Sequence, residues 1–575
     1  MCITRRLVSH LCTGQRVPLV QLVDVAVPGL KQPLSWTAGD HGRAELWALV
    51  GPASGPGGDV RKGICDYVLG RRRPALGSPP THPFLGGRPV SEAITSVSFA
   101  AKSAAGGDFT DYSARYGSIR EEDSATLLDT LMETLGVYTG RIARVRMLPD
   151  PLAPPHSDEA SGLGLFKWGS RAAHEAARSA ALDAHERIHR LAPLVSVDHA
   201  LLQRPAVALS NGQVRRARIL NALLHGAELV VLEEPFAGLD AATRENIDAL
   251  FARVHAQRMP RIVLVLREQD VLPACVTHVL RIGNDGRIMY MGPREGDCGA
   301  EPPLYALGSY DVVRENAARG IGRGHGSPVV EIRDVSLTYG SVPVLQHISL
   351  ELCQGTRMVL TGDSGSGKTT LLSLILGDNP RAHALSEEQM RLFGKPRDAL
   401  QNAHVLLQRR IGHVSPELFA AFPRKSTERG GLDVLEAVMS GYDGIFTRRA
   451  RTNEERAHAL GLLARFAGVI ATRDAHELDV EALARMPFAE LPHGLQALVL
   501  LLRAMVHEPE LLVLDEAFLG MSAHQSAFAR HFIDTSTDAW LQRAAIMVVS
   551  HYPGEWLRTC GRLLRLEDGV AVEQW

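Results

Sequence analysis

Short apolar runs recur along this chain, each followed by polar or glycine-rich residues and then by a longer apolar-rich segment. Met358-Val359-Leu360-Thr361 is followed by such a loop and then by Leu371-Leu-Ser-Leu-Ile-Leu376, which reads as strand, loop, helix. Leu229-Val-Val-Leu232, Leu511-Leu-Val-Leu514 and Ile546-Met-Val-Val549 are further strand candidates among helical stretches. Alternation of this kind predicts a mostly parallel α/β core. Two segments read instead as hairpins with Asp-Gly turns, one through Asp285-Gly286 and one through Asp568-Gly569. The stretches 101–208 and 378–490 are expected to form helical subdomains with longer loops.

The pattern is written twice. Pro18-Leu-Val-Gln-Leu-Val-Asp24-Val25 matches Pro328-Val-Val-Glu-Ile-Arg-Asp334-Val335, and Ala44–Gly51 matches Gly355–Gly362. Leu209-Ser-Asn-Gly-Gln213 precedes an apolar strand ending in Glu233-Glu234, and Leu491-Pro-His-Gly-Leu495 precedes one ending in Asp515-Glu516. Glu234 lies 25 residues after Leu209, and Glu516 lies 25 after Leu491. Shared spacing over that distance implies one fold used twice. The expected organisation is an N-terminal extension over 1–17, a first unit over 18–298, a linker over 299–327 and a second unit over 328–575. Within the linker, Ala317–Ser327 reads as flexible because of its glycines.

Composition narrows the classes. The 575 residues are 45% hydrophobic and 22% charged with a net charge of −2, which suits a globular protein and indicates no nucleic-acid partner. The basic clusters Arg71-Arg72-Arg73 and Arg448-Arg449-Ala450-Arg451 read as solvated loop charges. Seven scattered cysteines without a C-x-x-C pair fit a reducing compartment and argue against zinc or iron–sulfur sites. The longest apolar stretch, Leu495–Val506, contains Arg503, so no membrane span is expected. A cytoplasmic location follows. The basic first sixteen residues are also compatible with a mitochondrial presequence and a matrix location, although a frayed terminus is the plainer reading.

The chemistry concentrates in Gly362-Asp363-Ser364-Gly365-Ser366-Gly367-Lys368-Thr369-Thr370, which has the spacing of a nucleotide phosphate-binding loop. Its glycines let backbone N–H groups turn toward phosphate, and the following helix start adds positive potential. Lys368 is expected on the β- and γ-phosphates of ATP, and the Thr369 hydroxyl on Mg²⁺.

Taken together, the phosphate loop, the L-S-x-G-Q stretch, the Asp-Glu strand end and the strand ending before His551 resemble the ATP-binding cassette (ABC) ATPases. The resemblance covers nearly the whole chain. The short linker and Ile411-Gly-His-Val-Ser-Pro-Glu-Leu418 look like the soluble tandem ABC proteins associated in bacteria with molybdate transport or photorepair, and their fungal relatives. The resemblance implies two cassettes arranged head to tail, with ATP on one cassette's loop covered by the other's signature, and a monomer that closes on itself as an internal pseudo-dimer. On that basis Asp515 is the Mg²⁺-associated acid, Glu516 the general base and His551 the switch histidine. Tyr339 would stack on adenine, and Ser210, Asn211, Gly212 and Gln213 would reach ATP from across the interface. The family's glutamine that links Mg²⁺ to the helical subdomain falls at Pro416, beside Glu417, which could take its place.

The second composite site is degraded. Gly51-Pro-Ala-Ser-Gly-Pro-Gly-Gly-Asp59 lacks a lysine followed by a hydroxyl residue, and Lys62 is followed by Gly63. Glu233 replaces the Walker B aspartate, Glu268 stands at the switch position, and Pro492 interrupts the opposing signature. The expected activity is therefore ATP hydrolysis at one site, coupled to an unidentified protein partner. Alternatives are a nucleotide-gated binding protein with little turnover and the ATPase subunit of a separate membrane transporter.

Overall fold

The computed structural model describes residues 17–575 apart from 40–44, 53–54, 76, 100–124, 138–150, 153–170, 207–208, 210, 237–240, 258–259, 269, 284, 298, 300–307, 340–341, 364, 398, 425–429, 445–449 and 471–479. The N-terminal segment 1–16 and Arg448-Arg449 therefore lie outside the described residues.

Each half is built on a six-stranded sheet with the same strand order. In the first half the strands run Ile94–Ser98, Leu229–Glu233, Arg261–Leu266, Trp47–Val50, His278–Ile282 and Ile288–Pro293. In the second they run Ile411–Val414, Leu511–Asp515, Ala545–Val549, Arg357–Gly362, Arg562–Glu567 and Val570–Gln574. Neighbours are parallel except for the last strand of each sheet, which returns antiparallel. Those returns are the two expected hairpins, and Gly286 and Gly569 both sit at φ 80° in their turns.

The apolar runs form these strands because both sheet faces are covered. In the second half Leu512, Leu514, Ile546 and Val548 point into one core, while Leu511, Val513, Met547 and Val549 point into another. The first half repeats this, with Val230, Leu232 and Leu264 on one side and Leu229, Val231 and Val263 on the other. The Leu495–Val506 stretch lies mostly in the buried helix His493–Met505. Its Arg503 is buried too, donates from Nε to Ser440 Oγ at 2.9 Å, and has its pKa lowered to about 10 by burial. Among the described residues no helix is long and apolar enough to cross a membrane.

The linker departs from expectation. It contains a ten-residue helix, Tyr310–Arg319, capped by Ser309 at its start and by left-handed Gly320 at its end. Its glycine-rich tail is docked: Gly322 accepts from Arg357 N at 2.8 Å, and the Arg323 carbonyl accepts from Thr356 Oγ1 at 3.0 Å. Glycine at 322 follows from that approach, because a Cβ there would lie 2.6 Å from the Thr559 carbonyl oxygen. Tyr310 meets Trp556 edge-on at 4.7 Å, and buried Asn316 donates to the carbonyls of Arg558 and Cys560. Glycine content signalled flexibility, but here it serves close backbone contact. Replacing Asn316 with Leu leaves two carbonyls without a donor and is expected to cost about 2 kcal/mol in denaturant unfolding.

Candidate ATP site

The strand Arg357–Gly362 delivers the chain into the phosphate loop, and the helix Lys368–Leu376 begins at the lysine. The loop needs its glycines. Gly362, Gly365 and Gly367 have φ of 146°, 90° and 99°, and a Cβ at Gly362 would lie 2.2 Å from the Leu566 carbonyl oxygen. Lys368 Nζ donates to the carbonyls of Gly362 and Asp363, both at 2.8 Å. Ser366 Oγ is buried with no partner among the described residues, an oxygen available to a bound group. Asp363, Gly365 and Thr369 are exposed, Thr370 is half-buried, and Ser364 lies outside the described residues.

Asp515 and Glu516 stand at the end of the neighbouring strand Leu511–Asp515. Glu516 adopts φ 46°, a left-handed conformation that only surrounding structure can hold for such a residue. Its Oε1 accepts from the backbone N–H of His551 at 3.0 Å, while Oε2 is shut off from solvent with no partner among the described residues. Burial raises the pKa of Glu516, helped by the Glu555 and Asp515 carboxylates and opposed by the His551 N–H and the Arg267 guanidinium. Burial also raises that of Asp515, reinforced by Glu417 and opposed by Lys368. The sequence-predicted Lys368, Asp515, Glu516, His551 and Glu417 thus converge in one place. Asp515 and Glu417, oxygen ligands of the kind Mg²⁺ takes, lie near enough for the charge of one to act on the other, with Lys368 near Asp515 as well.

Other predicted residues are seen less fully. Tyr339 ends the strand Pro328–Tyr339, but its side chain lies outside the described residues. Ser210 lies outside them as well, as does the side chain of Asn211, which with Gly212 opens the helix Asn211–Leu224. Gln213 is half-buried in that helix. Two residues on, Arg215 donates to the Pro235 carbonyl at 2.7 Å, and burial lowers its pKa to about 10. Arg215 lies close enough to Tyr552 of the second half to interact with it electrostatically, and His493 similarly feels Glu234 of the first half.

The first half's loop position is filled from within. Lys62, the only lysine near it, is exposed, whereas its neighbour Arg61 is buried. Arg61 donates to the carbonyls of Gly51 and Leu266, both at 3.3 Å, and pairs with Glu234 at 2.8 Å. Gly51 corresponds to Gly362, so the guanidinium meets the same carbonyl that Lys368 meets in the second half. Glu234 corresponds to Glu516 and shares its left-handed backbone, at φ 54°. Sequence reasoning weighed Lys62 and missed Arg61, because no motif specifies an arginine nearly two turns into the helix Gly55–Val68. Arg61→Met is expected to destabilise the protein by about 3 kcal/mol, by leaving a buried carboxylate uncompensated. The double variant Arg61→Met/Glu234→Gln should regain most of that in the same unfolding measurement.

Residues 345–519 match the family model described as ABC transporter. Residues 345–519 thus carry an ABC transporter ATP-binding domain, and the first half repeats the strand order of the sheet that domain is built on. An uncharacterized ABC transporter ATP-binding protein of Schizosaccharomyces pombe is 28% identical over 92% of this chain and 94% of its own length. The ABC transporter ATP-binding protein ModF of Escherichia coli is 28% identical over 61% of this chain and 68% of its own. Among solved structures, an ATP-binding cassette bound to ADP and Pi is 22% identical, covering 43% of this chain and 98% of that one, with a TM-score of 0.34.

Proposed function

We propose that this protein hydrolyses ATP at one composite site per chain, in which the second cassette supplies the phosphate loop and the strand-end acids and the first supplies the signature helix. The observation that carries the reading is the setting of Glu516. One carboxylate oxygen is fixed by the His551 N–H and the other is buried and unpartnered among the described residues, near Asp515, on which Lys368 acts in turn. A carboxylate so held can orient water and accept its proton.

In this proposal Lys368 and the loop N–H groups bind the phosphates, and Thr369 and Asp515 would hold Mg²⁺, with Glu417 as a further oxygen. When bound, that Mg²⁺ would supply charge neutralisation to the phosphates. His551, whose N–H holds Glu516 Oε1, would report closure to the base. Ser210 and the N-terminus of its helix cover the γ-phosphate, so the two cassettes close only over triphosphate. Tyr339 faces the adenine. Hydrolysis then reopens the pair, and an unidentified protein partner reads the change.

At the other site Arg61 already neutralises Glu234 and occupies the loop carbonyl, which supports a first cassette without catalytic nucleotide. Mg²⁺-dependent phosphate release by the purified chain tests the proposal. ATP binding with no turnover above background would leave a nucleotide-gated binding protein instead.

A further inference from the structure

We infer that Arg267, in the first cassette, is a positioning residue for hydrolysis in the second: it holds Tyr552, and through Tyr552 the segment that orients the Glu516 carboxylate. The inference rests on the proposed reaction at Glu516.

Arg267 immediately follows the strand Arg261–Leu266, in the place that Ser550 takes after Ala545–Val549. It is 1% exposed. Asp270 accepts from its backbone N–H and Nη2, each at 3.0 Å, and from Nε at 3.3 Å, which fixes the plane of the guanidinium. Nη1 is buried with no partner among the described residues.

The guanidinium carbon lies 5.6 Å from the centre of the Tyr552 ring, a cation–π contact between the cassettes. The Tyr552 hydroxyl donates to the Phe236 carbonyl at 2.6 Å, also across the interface. One tyrosine is thus gripped at its ring and at its tip by two segments of the first cassette. Phe236 follows Glu234 by two residues and Arg267 precedes Glu268 by one, so the grip joins the strand-end acids and the switch position of the first half to the residue after His551.

From Tyr552 the contacts run on to the candidate base. Its N–H donates to Ser550 Oγ at 3.1 Å, and that hydroxyl donates to Glu555 Oε2 at 2.7 Å. Trp556 Nε1 donates to the Ser550 carbonyl at 3.2 Å, which pins the segment from below. Between Ser550 and Tyr552, the His551 N–H holds Glu516 Oε1. Rotating Tyr552 away would move the donor that aims the carboxylate.

A buried cation taken from water is an expensive way to fill an interface, and an apolar side chain would pack there more cheaply. Its charge acts on Glu516 and Glu555 of the second cassette and on Glu234 of its own. Lysine lacks both the flat face and the fork and cannot do the same work.

The test is steady-state kinetics of the full chain with Arg267→Gln, Arg267→Lys, Tyr552→Phe and the double Arg267→Gln/Tyr552→Phe. Binding of a labelled non-hydrolysable ATP analogue is measured on each. Arg267→Gln should lower kcat about 30-fold and Tyr552→Phe about 10-fold, with KM and analogue affinity within about twofold of wild type. The double variant should be no slower than Arg267→Gln alone, because both changes break one chain of contacts. Arg267→Lys should recover only part of the loss. If Arg267→Gln fails to fold, Tyr552→Leu, which removes the ring that Arg267 contacts, carries the test. Wild-type kcat in both single variants, losses that multiply in the double, or analogue affinity falling in step with kcat would each overturn the inference. Glu516→Gln serves as reference: if it is inactive while the Arg267 and Tyr552 variants are not, only this inference fails, and if it is active the underlying site assignment fails.

Discussion

Glu516→Gln should reduce Mg²⁺-dependent ATP turnover about 10³-fold or more while leaving ATP bound, and Lys368→Ala should lose turnover together with affinity. The two losses differ in kind. The amide keeps the shape of Glu516 and can still accept from the His551 N–H at Oε1, so the site assembles and traps nucleotide. What disappears is the proton acceptor. Lys368 contributes a charge and a donor at the helix start, where the Gly362 and Asp363 carbonyls now hold it. Its removal weakens the ground-state complex as well as the transition state. Turnover and equilibrium binding measured on both variants separate these effects. Wild-type turnover in both would reject the assignment of this site.

Much of the fold was legible because its signals are local. Apolar runs such as Leu511–Leu514 and Ile546–Val549 are strands because parallel strands are buried on both faces and cannot alternate. The Asp-Gly turns, with φ positive at Asp568 and Gly569, ended the second sheet where expected. The matching offsets around Glu234 and Glu516 implied two copies of one sheet, and the copies share strand order.

The linker was misread because glycine has two uses. At 317–327 the chain approaches other backbone closely, and glycine allows that as readily as it allows freedom. Nothing in the local sequence distinguishes the two, since the deciding partners Thr356, Thr559 and Gly561 are far away in sequence.

The site shows the same division. Lys368, Asp515, Glu516 and His551 were legible because motif spacing encodes a strand, a turn and a helix start. Arg61 was not. Its partners Gly51, Leu266 and Glu234 meet only after the sheet has formed, and a buried arginine in a degenerate loop has no pattern. Arg267 left one usable signal, since aligning Leu266-Arg267-Glu268 with Val549-Ser550-His551 places a charge where the other half has a hydroxyl. That Tyr552 receives it depends on how the halves face each other.

The second large effect is the one in which distance along the chain misleads. Ser210 lies some three hundred residues from Glu516, yet Ser210→Arg should depress turnover about as severely as Glu516→Gln. A bulky cation at the start of the signature helix displaces the N–H groups meant for the γ-phosphate and props the interface open. Glu234→Gln sits at the matching place in the other site and should leave turnover per folded chain nearly unchanged, because the amide oxygen can still accept from Arg61. Lys62→Ala should be equally silent, since that side chain is exposed.

Binding stoichiometry follows the same asymmetry, with one tightly held analogue per chain that Lys368→Ala removes. The most direct measurement is therefore turnover of Ser210→Arg beside Glu234→Gln under identical Mg²⁺ and ATP. One composite site predicts a loss of about 10³-fold in the first and little change in the second. Survival of Ser210→Arg together with loss in Glu234→Gln would contradict both the head-to-tail arrangement and the single site.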